Sequence, residues 1–112
     1  MLNEKMNSLI DKLISDIQKN LKIKSSITDE KPNIPFGEGI NDALLAALSI
    51  RGARGFKTKN LEGFAGYIEW GQGEEIVVVL GHLDVVLEGD GWTYPPYGAE
   101  IHGGREYMQE TP

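Results

Sequence analysis

The hydrophobic residues of the first twenty positions recur at intervals of three and four. Within residues 3–21 they are Met6, Leu9, Ile10, Leu13, Ile14, Ile17 and Leu21. This spacing predicts an amphipathic helix with one apolar stripe, for which Asn3 is a suitable N-cap. The polar face mixes Lys, Asp and Glu and is not basic, so we expect the stripe to pack on its own domain and not on a membrane or a partner.

A second helix is predicted over residues 40–50. It follows a connection, residues 22–39, that contains Ser25, Ser26 and two prolines and shows no periodicity. The segment INDALLAALSI is rich in the helix formers Ala and Leu. Gly52 is a suitable residue to end this helix.

After Gly55 the pattern becomes one of short segments typical of strands. Residues 56–59 are a short candidate strand. Residues 64–70 are rich in aromatic and β-branched residues, and 75–83 form a third segment. A Gly-Gln-Gly turn separates the second and third segments, which we therefore expect to pair as a hairpin.

The third segment holds five consecutive apolar residues at 76–80. A half-exposed strand would alternate between apolar and polar residues, so this run predicts a central strand covered on both faces. The two helices upstream are natural cover. The expected fold class is α/β, with two helices packed on a mostly central β-sheet in a layered domain.

Composition narrows the possible functions. The chain has 112 residues, enough for one domain at most. Its formal net charge of −6 argues against nucleic acid as a partner. No apolar run is long enough to span a bilayer and the first residues do not resemble a signal peptide, so we expect a cytoplasmic protein without a membrane partner. Cysteine is absent, so any metal must be bound by His, Asp or Glu, and the only histidines are His82 and His102.

His82 and Asp84 form the one chemical constellation. They directly follow the predicted central strand, where ligand sites of open α/β sheets gather. Residues two apart in an extended segment project to the same side, so both side chains should face one cleft. A neutral imidazole is a good zinc ligand, and a nearby carboxylate can orient it. The alternative is a hydrogen-bonded core or rim histidine, because a His-x-Asp triplet is common by chance.

The surrounding sequence carries a family resemblance. The segments GHLDVV at residues 81–86, GDGW at 89–92 and YPPYGA at 94–99 resemble the signature of the zinc-dependent aminoacylase/carboxypeptidase superfamily. PFGEGIN at 35–41 and GFKTKN at 55–60 are similar to its bacterial Xaa-His dipeptidase (carnosinase-like) branch. Residues 1–112 would then be the N-terminal portion of a metallopeptidase catalytic domain.

The resemblance implies a function and residue roles. Such enzymes hydrolyse the amide bond of a dipeptide with a water activated by two zinc ions. By the resemblance, His82 would be a ligand of one zinc and Asp84 a catalytic residue that orients a ligating imidazole. Trp92 and Tyr94 would belong to a loop that shapes the approach to the metals. His102 matches no ligand position and is expected to be a surface or loop histidine.

The end of the sequence departs from the family. Tyr107 and Thr111 still fit, but Met108-Gln109-Glu110 replaces a Gly-Arg-Gly segment, and no bridging Asp or Glu-Glu pair follows. One His and one Asp cannot hold two metals well, so the isolated chain is expected to be inactive and to bind zinc weakly at most. An open apolar edge at residues 76–80 would also favour self-association into a homo-oligomer.

Three alternatives remain open. In the first, the chain is a non-catalytic scaffold or binding remnant that has lost its metal site. In the second, it is part of an N-acyl amino acid deacylase of the same superfamily. The third is a small intact enzyme that assembles a site across a homo-oligomer, with Glu100, Glu106 and Glu110 near His102. No Gly-x-Ser-x-Gly nucleophile elbow is present in the sequence.

Overall fold

The computed structural model describes residues 2–103 and 105–107. In chain order the elements are α1 (Leu2–Leu21), α2 (Glu38–Gly52), β1 (Lys57–Leu61), β2 (Ala65–Glu69), β3 (Glu100–His102) and β4 (Arg105–Tyr107). They fall into two compact units, one formed by Lys24–Leu87 and the other by Met1–Ile23 together with Glu88–Pro112. The mixed α/β class predicted from the sequence is confirmed.

In the unit Lys24–Leu87, an antiparallel hairpin of β1 and β2 packs against α2. The register runs from Lys57 opposite Glu69 to Leu61 opposite Ala65. The reversal takes place over residues 62–64, where the side-chain oxygen Oδ1 of Asn60 accepts a hydrogen bond of 2.8 Å from the backbone N–H of Gly63. Gly63 has a φ of 80°, a left-handed conformation that glycine adopts without steric cost.

The helix approaches the hairpin closely at Gly66. A Cβ at this position would lie 3.0 Å from the side chain of Leu44 and 3.1 Å from that of Leu48. Leu48 and Ala43 are the buried apolar residues of α2. The small glycine surface therefore allows the apolar face of α2 to settle directly on β2.

The pairing predicted for the second strand segment is wrong. Residues 64–70 do form a strand, β2, but its partner is β1 and not residues 75–83. Both candidate partners have strand-like composition, so the pattern alone could not choose between them. The tight turn at residues 62–64, where Asn60 accepts a hydrogen bond from Gly63, joins β2 to β1.

The predicted central strand is also not observed. Over the described residues, 76–80 belong to no sheet, and their exposed fractions range from 70% at Val78 to 94% at Val77. A strand needs a neighbour that satisfies its backbone N–H and C=O groups, and among the described residues neither two-stranded sheet includes residues 76–80. The expectation that residues 76–80 are covered on both faces is therefore wrong.

The other unit contains α1 and a short antiparallel hairpin of β3 and β4. The side-chain amide Nε2 of Gln18 in α1 donates a hydrogen bond of 2.9 Å to the backbone oxygen of buried Ala99. Five residues of the stripe are between 39% and 58% exposed, namely Met6, Leu9, Ile10, Leu13 and Ile17. The expectation that the stripe packs on its own domain is wrong for these side chains. Of the two predicted helices, α2 is thus the one that packs on a sheet.

Within the described part of the chain, neither helix combines the length and the apolar character needed to cross a membrane.

Candidate functional site

His82 and Asp84 lie close together in the irregular segment that follows residues 76–80. The imidazole Nδ1 of His82 is 3.5 Å from the carboxylate Oδ1 of Asp84 and 3.0 Å from the backbone oxygen of the same residue. Because a carbonyl oxygen only accepts hydrogen bonds, the short contact requires the ring proton on Nδ1. The other ring nitrogen, Nε2, is then the one that carries a lone pair.

This arrangement matches the way proteins orient a metal-binding histidine. A ligating imidazole commonly donates its second ring N–H to a carboxylate or a backbone carbonyl, which fixes the tautomer and the direction of the ring. The His82 and Asp84 side chains are 75% and 59% exposed. A contact this exposed to water contributes little to the stability of the fold.

A buried serine supports the pair from the side of the chain that precedes α2. The hydroxyl of Ser25 donates a hydrogen bond of 2.8 Å to the backbone oxygen of Leu83. The backbone N–H of Val85 donates one of 3.0 Å to the backbone oxygen of Ser25. These two bonds bracket Asp84. Ser25 lies in a segment without periodicity, so no periodic signal in the sequence marks it as buried.

The donor set fits part of a zinc site. Among the described residues, no group of three or more His, Cys, Asp and Glu side chains is placed to hold a metal ion. Protein zinc sites use three or four ligands, or three with an open position for water. His82 therefore has the chemistry and the orientation of one ligand, and the described residues do not complete a site around it.

The pair does not line the cavity found in the same unit. This cavity of about 430 Å³ is lined by residues of the turns at 30–35 and 62–64, including Phe64. Neither His82 nor Asp84 contributes to it. The two side chains are exposed where they lie together.

His102 has neighbours of its own in the other unit. Its Nε2 is 3.1 Å from the carboxylate Oε1 of Glu100, and its ring stacks on Tyr94 with 3.7 Å between the centroids and 10° between the planes. His102 is thus the last residue of β3 and partly exposed, and not a loop histidine as expected from the sequence. The side chain of Glu106 and residues 108–112 lie outside what the structure describes, so the predictions made for Met108, Gln109, Glu110 and Thr111 concern positions outside it.

The loop that holds Trp92 is tied together at Glu88. The indole Nε1 of Trp92 donates a hydrogen bond of 2.9 Å to the backbone oxygen of Glu88. The hydroxyl of Tyr97 donates one of 3.2 Å to the Glu88 carboxylate. Burial of Tyr97, followed by this hydrogen bond and the negative charge of Glu88, raises the pKa of the Tyr97 hydroxyl. The two hydrogen bonds join residues 92 and 97 of this loop to Glu88.

Comparison with known proteins gives bacterial relatives. No protein-family model matches the chain. The chain is 52% identical over 100 residues to the Bacillus subtilis (strain 168) protein named "Putative dipeptidase YtjP", and the match covers 87% of the chain and 21% of that protein. It is 35% identical to the Beta-Ala-Xaa dipeptidase of Lactobacillus delbrueckii subsp. lactis, with the same coverage of each. A Staphylococcus haemolyticus relative, "Putative dipeptidase SH1171", is 36% identical over 103 residues, which cover 90% of the chain and 22% of the relative.

The resemblance to bacterial dipeptidases that the sequence motifs indicated is confirmed by these relatives. The chain spans about a fifth of the length of each of them.

Proposed function

We propose that this chain, which is related to bacterial dipeptidases over most of its length, supplies one metal ligand to an enzyme that hydrolyses the amide bond of dipeptides. The observation that carries the proposal is the contact of His82 Nδ1 with Asp84, which leaves Nε2 as the nitrogen available to a metal. The dipeptidase names of its relatives supply the substrate class. The cytoplasmic location expected from the sequence is part of the proposal.

In this proposal each residue has a separate task. Nε2 of His82 binds a zinc ion, and Asp84 holds the ring in the tautomer and direction that make this possible. When two zinc ions are bound in such a site, they lower the pKa of a water molecule and polarise the substrate carbonyl. The other ligands come from residues other than those described here, so the 112-residue chain alone is inactive and binds zinc weakly.

Zinc titration of the isolated chain tests the ligand assignment. Nuclear magnetic resonance of the two imidazole rings should show zinc-dependent shifts at His82 in the unmodified chain. His82→Ala should abolish the zinc-dependent changes at residues 81–86. The matched control is His102→Ala, which removes the other histidine and should leave these changes intact. Equal zinc binding by His82→Ala and the unmodified chain would contradict the role of His82.

Fusion to the rest of a dipeptidase relative tests the activity. The chimera should hydrolyse a dipeptide in a zinc-dependent reaction, and Asp84→Asn should reduce the rate about 10- to 100-fold, the usual effect of losing a residue that orients a metal ligand. A folded chimera that is active but insensitive to both His82→Ala and Asp84→Asn would refute the proposed site.

A non-catalytic scaffold is the second candidate. The observation in its favour is that the described residues do not assemble three metal-binding side chains. It predicts a stable fold without zinc affinity, and a chimera that stays inactive although it is folded and zinc is supplied. The zinc titration and the fusion experiment thus distinguish the two candidates.

We also propose that two copies of the chain associate through residues 76–80. Five consecutive exposed apolar residues with no strand partner among the described residues present both hydrophobic surface and free backbone groups to another chain. Sedimentation velocity should show concentration-dependent association that Val78→Lys abolishes. Ile27→Lys is the matched control, because Ile27 has the same 70% exposure as Val78. A monomer at high concentration would count against this association.

A further inference from the structure

We propose that Ser25 is the positioning residue of the His82–Asp84 pair, and that Gly39 allows α2 to hold Ser25 in place. The metal-binding consequence of this inference rests on the proposed function. The geometric part does not, because it concerns the conformation of the chain around Asp84.

Ser25 controls both peptide groups that flank Asp84. Its hydroxyl binds the oxygen of the peptide that joins Leu83 to Asp84. Its backbone oxygen binds the N–H of the peptide that joins Asp84 to Val85. The two free rotations of Asp84, φ and ψ, lie between these peptides. Anchoring both peptide planes to one residue therefore restricts both rotations.

One of these peptides connects Ser25 directly to the imidazole. The peptide between Asp84 and Val85 gives its N–H to Ser25 and its carbonyl oxygen to Nδ1 of His82. Hydrogen bonds arranged in this way polarise one another through the shared peptide. The backbone oxygen of Ser25, the Asp84–Val85 peptide and the His82 ring thus form a continuous chain of hydrogen bonds.

Burial shows which end of this series of hydrogen bonds, Ser25 or His82, is held in place. His82 and Asp84 are mostly exposed and have little packing to hold them. Ser25 is only 4% exposed. A buried hydrogen bond is costly to lose because water does not replace it freely, whereas an exposed one competes with water. The orientation of the exposed pair is therefore determined at the buried serine.

Gly39 explains how Ser25 is held. It lies in the first turn of α2, and a Cβ there would be only 2.0 Å from the backbone oxygen of Lys24 and 3.6 Å from the Cα of Ser25. The helix backbone is thus in direct contact with the peptide that precedes Ser25. A second tie is the hydrogen bond of 3.1 Å from the Thr28 N–H to the Phe36 oxygen. A rigid helix therefore supports the serine that holds the pair.

The hydrogen bonds of Ser25 go to the backbone of residues 83 and 85 and not to the two side chains that the proposed function assigns to the metal site, so its role is positioning. A metal ligand must be held to within about 0.5 Å for productive geometry. Losing the hydroxyl should widen the range of Asp84 conformations and let the His82 ring turn, without removing any ligand.

The test compares Ser25→Ala with Ser26→Ala in the full chain. Ser26 is the matched control, since it is 2% exposed and the described structure places no hydrogen bond between its side chain and residues 83–85. Three quantities are measured by nuclear magnetic resonance: the exchange rate of the Val85 amide, the fraction of neutral His82 rings protonated at Nδ1, and the zinc concentration that half-saturates His82. The tautomer fraction and the zinc affinity of the His82 ring are measured at about pH 8, where an ordinary imidazole is neutral.

Ser25→Ala should speed exchange of the Val85 amide about fivefold, the effect of losing one intramolecular hydrogen bond. The fraction of rings protonated at Nδ1 should fall, and the half-saturating zinc concentration should rise several-fold. Ser26→Ala should leave all three unchanged, and Ser25→Thr, which keeps the hydroxyl, should restore the tautomer fraction. Unchanged Val85 exchange and an unchanged tautomer in Ser25→Ala would overturn the inference.

The outcomes separate this inference from the proposed function. If zinc does not bind His82 in the unmodified chain, the proposed function fails, and the exchange rate and tautomer still decide the role of Ser25. If zinc binds with equal affinity to the unmodified chain and to Ser25→Ala, the positioning role fails and the ligand assignment stands.

Discussion

Replacing Gly39 with alanine sets two physical effects against each other at one position. In most helices the change is favourable, because alanine exceeds glycine in helix propensity by about 1 kcal/mol. Here the new methyl group would lie 2.0 Å from the backbone oxygen of Lys24, far inside the 3.4 Å at which ordinary contact begins. A backbone atom cannot move aside as a flexible side chain does, so the segment before α2 must shift.

The steric effect should dominate. Forcing an extra carbon into a tightly packed contact costs about 1–3 kcal/mol, and the propensity gain is smaller in the first turn of a helix than in its interior. We expect a net loss of about 1–2 kcal/mol of unfolding free energy, and in a small domain each kcal/mol lowers the Tm by roughly 4–8 °C. The same shift should loosen Ser25 and speed exchange of the Val85 amide.

Gly52→Ala is the control from the same helix. Its nearest neighbour would be the Thr58 hydroxyl at 3.8 Å, an ordinary contact, and its φ is not positive. Alanine at this position should stabilise the fold by about 0.4–1 kcal/mol. Urea unfolding followed by circular dichroism at 222 nm measures both variants. If Gly39→Ala is as stable as the unmodified chain or as Gly52→Ala, the close contact with Lys24 does not exist in solution.

Two further predictions concern pH. The hydrogen bond from Lys31, together with its positive charge, lowers the pKa of Glu38. This pair therefore stabilises the fold above the ordinary carboxyl pKa, and its contribution is lost as the pH falls through the lowered value. In urea unfolding at a series of pH values, Lys31→Met should remove this acid-dependent part of the stability. In an ultraviolet absorbance titration, Tyr97 should ionise above the usual tyrosine range because its pKa is raised. Its contribution to folding stability is therefore present below the ordinary tyrosine pKa and lost as the pH rises through the raised value. Glu88→Gln should lower the Tyr97 pKa and yet leave it raised, because burial is the larger cause.

Local patterns were sufficient where structure depends on neighbours along the chain. The spacing of apolar residues predicted α1, and the content of helix formers predicted α2, each to within two residues of its ends. The short segments after Gly55 predicted β1 and β2 approximately. The proximity of His82 and Asp84 also follows from a local rule, since they are two positions apart. The structure does bring these side chains together.

Predictions failed where a partner distant in sequence had to be chosen. The apolar run at residues 76–80 indicates a strand, but nothing in the run names its neighbour, and within the described chain it has none. The partner of β2 was misassigned for the same reason. Ser25 was missed because a serine in an aperiodic connection is usually exposed, and its burial depends on Gly39 and α2 packing over it.

The unit Lys24–Leu87 is a single continuous stretch of chain, and it contains the histidine, the aspartate, the serine and the glycine discussed above. A polypeptide growing on the ribosome therefore has every residue of this hydrogen-bonded assembly once Leu87 has been added. Because domains tend to fold during synthesis in the order in which they emerge, the imidazole can reach its orientation once this unit has left the ribosome, before later segments have folded.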